Sequence, residues 1–156
     1  MERAIAITTL LDVHFRHFQP ASDADEAADP LEWVGLLKCC TAFEGYCKVY
    51  TAKLSPSRIA EFLLLNEEFP HSVRFCVERL DSALTTIDEA TYKRKGSPVR
   101  RLAGRLRASL GFSQIDEIMA GGLTTYLTGI QKEYAAIHSA IYEAYIGYPI
   151  EAALEA

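Results

Sequence analysis

Arg3 is the residue whose type and position most favour binding chemistry in this sequence. On a helix, positions 3, 7, 10 and 14 place Arg3 and His14 on the same face as Ile7 and Leu10. A charged side chain at the edge of an apolar face must be paired or hydrogen-bonded, because leaving it unpaired there is costly. Arg3, with Glu2 beside it, is therefore predicted to bind a carboxylate or phosphate group. The alternative is a structural ion pair that fixes the register of the helix.

A second candidate anion site surrounds the start of a later predicted helix, which Pro70 begins. His71, Ser72 and Arg74 lie in its first turn, where free backbone N–H groups and the helix dipole attract anions. Arg74 adds a charge-assisted hydrogen bond to such a ligand. The alternative is that Ser72 only satisfies the helix start, while Arg74 pairs with Glu78 four residues later. Both interpretations stay open at the level of sequence.

The third candidate feature is a segregation of positive charge, since no acidic residue occurs between Glu89 and Asp116. It predicts a surface that docks an acidic partner or nucleotide phosphates. The alternative is a basic loop followed by the solvated face of a helix. No aromatic residue is interleaved with these basic residues, which disfavours single-stranded nucleic acid as a ligand. The basic residues are Lys93, Arg94, Lys95 and the four for which partner docking is predicted, Arg100, Arg101, Arg105 and Arg107.

No arrangement of side chains in the sequence predicts a reaction. The chain contains no G-x-S-x-G, phosphate-loop, dinucleotide-binding or H-E-x-x-H motif, so neither catalytic residues nor a cofactor can be assigned. His14 and His17 are close enough on a helix to share a metal ion, but they lack the carboxylates that accompany histidines in bundle metal sites. The four cysteines contain no C-x-x-C pair and are interpreted as reduced packing residues. No metal site is predicted.

Length and composition predict one soluble domain. The 156 residues are 49% hydrophobic and 24% charged, which is typical of globular proteins and sufficient for a sizeable core. A net charge of −5 argues against general nucleic-acid binding. No apolar stretch reaches the roughly 18 residues of a membrane span, and no signal-peptide pattern is visible. The expected compartment is therefore the cytoplasm, with no membrane partner.

The elements that must position the candidate residues are all helices. Apolar residues recur with a helical period almost throughout, and Gly and Pro fall between the periodic segments. The pattern predicts an all-α bundle of five to seven helices, with a long C-terminal helix that ends near Tyr145. The acidic segment 19–30 is predicted to be a flexible loop. The core-facing residues of the first helix are predicted to be Ile7, Leu10, Leu11, Phe15 and Phe18, and those of the last helix Leu123, Leu127, Ile130, Tyr134, Ile137 and Ile141.

Several helix boundaries also have sequence signals. Ser55 followed by Pro56 predicts the start of a short helix. Asp29, ahead of Pro30, predicts the start of the second helix, which then continues, with a bend, to about Tyr50. Ser113, with Asp116 three residues later, has the spacing of an N-terminal cap for the last helix.

The sequence contains the run FLLLNEEFPHSVRFCVERLDSAL, the start MERA followed by LLDVH, and the segment 115–123. Together these three stretches resemble the bacterial alpha-E family, which is described as a predicted α-helical domain with a conserved Glu-Arg motif. The run FLLLNEEFPHSVRFCVERLDSAL over residues 62–84 is similar to the family signature, with His71 in a position where Arg is usual. The start MERA followed by LLDVH resembles the family's Glu-Arg helix, and residues 115–123 resemble its C-terminal segment. The matches extend in order along nearly the whole chain, from 1 to 156.

The resemblance implies partners rather than a reaction. Alpha-E domains tend to be encoded with, or fused to, ATP-grasp ligases and transglutaminase-like proteins, which implies a role in a system that forms peptide or amide bonds. Family members are commonly about twice as long, and this chain resembles their second half, so Met1 is expected to interrupt a longer first helix. The expected function is a non-catalytic partner-binding module that forms a homodimer or binds the first half. The alternative is a substrate- or nucleotide-binding subunit that uses Arg3, Ser72 and Arg74 as an anion site.

Overall fold

The chain folds into a bundle of helices, as the sequence predicts. The computed structural model describes residues 1–18, 30–51, 53–90 and 98–147. Within these ranges there is no β-strand, and the long C-terminal helix is present, so the predicted all-α class is confirmed. The helices are α1 (Glu2–His17), α2 (Pro30–Cys39), α3 (Phe43–Tyr50), α4 (Pro56–Leu65), α5 (Val73–Ala90), α6 (Pro98–Phe112), α7 (Ile115–Gly121) and α8 (Leu123–Ile141), and a π-helical turn (Tyr142–Ile146) extends α8.

Eight α-helices lie in the described ranges because two predicted helices are divided by residues with positive φ. The second predicted helix ends at Cys39 and resumes at Phe43, since Thr41 adopts a left-handed conformation with φ of 51°. The last predicted helix is divided at Gly122, whose φ of 95° separates the short α7 from α8. A glycine has no Cβ and accepts this conformation readily, whereas for a β-branched threonine it is unusual.

Helix starts agree with the sequence in one place and differ in two. Ser55 caps α4 by accepting a hydrogen bond of 3.4 Å from the backbone N–H of Arg58. Ser113 does not cap α7, because its hydroxyl donates instead to the carbonyl of Ser109. Helix α5 begins at Val73 rather than at Pro70, since the hydroxyl of Ser72 accepts the first backbone N–H bond. The cap predicted at Asp29 and the loop predicted over 19–30 lie outside the described residues, except for Pro30.

The core is formed around α8, which packs against α1 and α6, while α5 packs against α6 and α1. Five of the six predicted inner positions of α8 are buried, namely Leu123, Leu127, Ile130, Tyr134 and Ile137, and the sixth, Ile141, is partly buried against the core. On α1 the prediction is partly wrong: Leu10 and Phe18 are 38% and 40% exposed. The buried positions of this helix are Ala4, Ile7, Thr8, Leu11 and Phe15, so its inner face is centred on Leu11. Arg3 is consequently exposed.

Candidate functional site

Glu2 and Arg3 line a groove between the N-terminal turn of α1, the first half of α5 and the second half of α8. We refer to it as the α1/α5/α8 groove; its volume is about 1180 Å³. Arg3 lies at its wall, where the Nη1 atom donates a hydrogen bond of 3.3 Å to the carbonyl of Pro70. No ion pair is formed by Arg3 in the described part of the chain. The structural ion pair considered for Arg3 from the sequence is therefore absent among these residues.

His14 lies in a different groove, between α1 and α2. This α1/α2 groove has a volume of about 300 Å³, and its lining includes Leu10, Val13 and Phe18. The imidazole of His14 lies 4.7 Å from the ring of Phe18 and 4.6 Å from the ring of Trp33, centre to centre. Burial lowers the pKa of His14 below 6.5, and the carboxylate of Glu32 partly opposes this shift. His14 is thus half-buried among aromatic rings, separate from Arg3.

Histidine and cysteine side chains do not form a metal-binding cluster in the described residues. No group of three or more His, Cys, Asp or Glu side chains there is arranged to hold a metal ion. His17 lines the α1/α2 groove beside His14 but is exposed. The four cysteines are free thiols, and Cys39 is exposed, so the interpretation of all four as packing residues is wrong for Cys39. It lines the α1/α2 groove.

Ser72 belongs to a turn whose hydrogen bonds are internal. The hydroxyl of Ser72 is fully buried, donates to the carbonyl of Asn66 at 2.5 Å and accepts from the N–H of Phe75 at 3.0 Å. His71 precedes it, with Nδ1 at 2.5 Å from the hydroxyl oxygen of Thr41. These hydrogen bonds connect the start of α5 to the turn that follows α2 and to the turn that follows α4. In this arrangement Ser72 has the capping role that the sequence offered as the alternative.

Arg74 faces away from Arg3 and is already paired. Its guanidinium lies 2.6 Å from Glu67 and 3.2 Å from Glu78. The cavity that Arg74 lines, about 610 Å³ in volume, also contains the acidic side chains Glu61, Glu67, Glu68 and Asp116. Excess negative charge there opposes the binding of an anion. The structure therefore brings Glu2 and Arg3 together, and separates them from Ser72 and Arg74.

The four arginines predicted to dock a partner lie on α6 and differ in their surroundings. Arg107 pairs with Asp81 at 3.1 Å, and the Nε atom of Arg100 lies 3.9 Å from Asp88. Arg101 and Arg105 are exposed and form no ion pair with the residues described. Lys93, Arg94 and Lys95 lie outside the described ranges. Docking through this helix stays a prediction, with Arg101 and Arg105 as its available charges.

Two residues of the α1/α5/α8 groove were not identified as binding residues from the sequence. Arg79 lines the groove from α5, and Tyr134 lines it from α8. A signal for Arg79 exists, because Glu78-Arg79 repeats the residue pair Glu2-Arg3. The sequence predicted Tyr134 only as a core residue, because it occupies a position of the apolar repeat. That repeat does not indicate the surroundings of its hydroxyl.

The fold and its grooves define this chain as an all-α helical-bundle domain. None of the helices in the described ranges has the length and apolar character needed to cross a bilayer. The family model for Alpha-E, a predicted alpha-helical domain with a conserved ER motif, matches residues 1–146, and the chain therefore belongs to the Alpha-E family. Comparisons with curated proteins and with solved structures found no match.

Proposed function

We propose that this chain is a non-catalytic helical module that binds a protein partner in a system forming peptide or amide bonds. The partner is an ATP-grasp ligase or a transglutaminase-like protein, as the resemblance to alpha-E proteins implies. The observation that supports a docking role is the apolar outer side of α1, where large side chains remain exposed next to the α1/α2 groove. Exposed apolar patches of this kind mark interaction surfaces in soluble proteins.

The exposed side chains are grouped rather than scattered. Leu10, Val13 and Phe18 all line the α1/α2 groove, and the side chain of Val13 is 50% exposed. Leu36 forms the inner edge of the groove and is buried. A groove between two helices with aliphatic and aromatic walls accepts the apolar face of a partner helix. Binding there would remove the exposed apolar surface of α1 from water, which is favourable.

Substitution of Val13 by Glu tests this proposal. Placing a carboxylate at the centre of an apolar contact leaves the charge without a partner, so we expect the affinity for the purified ligase to fall at least about tenfold. Val49→Glu is the matched control, since Val49 is 54% exposed but lies on α3, outside the groove. Affinity is measured by biolayer interferometry. Equal affinities of the two variants would contradict docking through this groove.

The same experiment distinguishes the other occupants of the groove. A homodimer, or a complex with a separate first-half domain, would also cover it. Native mass spectrometry of the chain alone reports self-association as a species at twice 17.4 kDa. A dimer that Val13→Glu dissociates and Val49→Glu does not would replace the ligase with a second copy of the chain. Persistence of a dimer in both variants would exclude the groove as its interface.

A second candidate function is a subunit that binds a substrate or nucleotide. The sequence suggested Arg3, Ser72 and Arg74 as one anion site, but Ser72 has two internal hydrogen bonds and Arg74 has two carboxylate partners. The observation that favours a binding function is restricted to Arg3, which lines a large groove and forms no ion pair with any described residue.

A further inference from the structure

The α1/α5/α8 groove contains two arginines that come from different helices and have no carboxylate partner in the part of the chain that the structure describes. Arg3 lines it from α1 and Arg79 from α5. Every ion pair of the described residues involves other cations, namely Arg16, Arg74, Arg100 and Arg107. Unpaired arginines on a surface are common, but two that converge on one concave site form a positive potential that a single exposed arginine does not.

Both guanidinium groups are held in position by neighbouring groups. Arg3 donates a hydrogen bond to the carbonyl of Pro70, and the guanidinium carbon of Arg79 lies 4.9 Å from the centre of the Phe75 ring. Such contacts limit the rotamers of long side chains, so less entropy is lost when a ligand binds. Each guanidinium retains further N–H donors that these contacts do not use.

Tyr134 supplies the second, independent observation. Its side chain is 0% exposed, it lines the groove, and its hydroxyl has no hydrogen-bond partner among the described residues. A buried hydroxyl without a partner loses the hydrogen bonds it made to water, which is unfavourable for folding. Burial raises the pKa of Tyr134, and the nearby thiol of Cys76 raises it further. The hydroxyl therefore keeps its proton and is available as a donor.

The other residues that line the groove are both polar and apolar. Cys76 lines the groove from α5, and burial raises the pKa of its thiol, while the charge of Arg3 partly opposes that increase. The remaining lining includes the apolar residues Ile5 and Leu80 and the polar residues Gln131, His138 and Ser139. A ligand for this groove combines an anionic group with an apolar portion.

We propose that the α1/α5/α8 groove binds the carboxylate of a short peptide, with Arg3 and Arg79 as charged donors and the hydroxyl of Tyr134 as a buried neutral donor. The arginines Arg3 and Arg79 outnumber the one carboxylate in the lining, that of Glu2, so the groove attracts an anion. A guanidinium can bind a carboxylate through two parallel hydrogen bonds. A peptide fits because the volume of the groove exceeds the range of roughly 300 to 1,000 Å³ that is usual for small ligands. The site uses none of the residues assigned to partner docking.

Calorimetric titration with a defined peptide tests the proposal. The probe is acetyl-Ala-Leu-Ala with a free carboxyl terminus, and its carboxyl-terminal amide is the uncharged control. We expect the acid to bind and the amide to bind at least about tenfold more weakly, because charge-assisted hydrogen bonds to the arginines are lost. Equal binding of the acid and the amide, or no binding of either, would overturn the proposal. Displacement of the peptide by equimolar inorganic phosphate would overturn the choice of a carboxylate.

Variants of two tyrosines separate binding from folding. Tyr134→Phe removes only the unpartnered hydroxyl, so the melting temperature should stay equal or rise, while peptide affinity falls about tenfold. Tyr126→Phe is the matched control, because the hydroxyl of Tyr126 donates to Ser113 at 2.9 Å outside the groove. It should lower the melting temperature and leave the affinity unchanged. If Tyr134→Phe instead lowers the melting temperature and leaves peptide affinity intact, the hydroxyl is structural and the proposal fails.

Variants of two arginines test the charged donors. Arg79→Gln should weaken the peptide about tenfold or more, because one of the two converging charges is removed. Arg105→Gln removes an exposed, unpaired arginine from α6 and should leave peptide affinity unchanged. Equal effects of the two substitutions would mean that only the net charge of the protein matters, which would contradict a specific site.

Discussion

Arg74 and Arg79 lie five residues apart on the same helix, and their surroundings are opposite in character. Arg74 sits between two carboxylates, and the preceding Ser72 has both a donor and an acceptor partner within the chain. Arg79 lines the α1/α5/α8 groove and has no carboxylate partner among the described residues, and Tyr134, whose hydroxyl has no hydrogen-bond partner among them, lines the same groove. On the side of α5 that carries Arg74, the polar side chains are therefore paired within the chain. On the side that carries Arg79, guanidinium N–H donors remain available.

The difference teaches that residue type and helix position do not distinguish a structural arginine from a binding one. Both arginines follow an acidic or polar neighbourhood in sequence, and both lie in the first two turns of α5. What distinguishes them is whether the surrounding fold satisfies their hydrogen-bonding capacity. A side chain with internal partners contributes to stability, whereas one without partners is available to a ligand.

Among the substitutions that test this comparison, Ser72→Ala is expected to change the free energy of unfolding most. The substitution removes the cap of α5 and leaves the carbonyl of Asn66 without its donor, so the free energy of unfolding should fall by about 1–3 kcal/mol. Urea denaturation measures this change. Ser82→Ala on the same helix is the control, since Ser82 is exposed and its hydroxyl is not involved in a cap. A loss no greater than that of the control would contradict a saturated turn.

A smaller effect is expected when the two arginines are exchanged for glutamine one at a time. Arg74→Gln removes two partly exposed ion pairs and should lower the free energy of unfolding by up to about 1 kcal/mol. This loss should shrink in about 1 M NaCl, because salt screens such pairs. Arg79→Gln should cost less than Arg74→Gln at low salt. If thermal denaturation shows a larger loss of stability for Arg79→Gln than for Arg74→Gln, the inferred difference between the two sides of α5 is wrong.

The smallest effect concerns His14, whose buried Nε2 atom has no hydrogen-bond partner among the described residues. Because burial holds the pKa of His14 below 6.5, the unfolded chain binds a proton before the folded chain does as pH falls. Stability should therefore decrease as pH is lowered through the range just below 6.5, and His14→Gln should reduce that decrease. His17→Gln, at an exposed neighbour, serves as the control. Parallel pH profiles for wild type and His14→Gln, measured by urea denaturation, would exclude this contribution.

The architecture was largely predictable because it depends on local patterns. Apolar periodicity identified the all-α class and the buried side of α8, and the Ser-Pro pair identified the start of α4. The division of the second predicted helix was not predictable, because Thr41 adopts its left-handed conformation against a local preference. The sequence also did not predict that Leu10 and Arg3 are exposed. The inner face of the first helix can be drawn through positions 3, 7, 10 and 14 or through positions 4, 7, 11 and 15. Only packing against α8 and α5 decides between them.

By itself, the sequence determined the helical class, the long C-terminal helix and the resemblance to alpha-E proteins, because these depend on residues close together in the chain. The tertiary structure alone decided which candidate residues share a site. It brings Arg3, Arg79 and Tyr134 to one groove, although they are separated by tens of residues, and it surrounds Arg74 with carboxylates. The physical reason is that ion pairing and burial depend on distances in space, which helical periodicity constrains only within one helix.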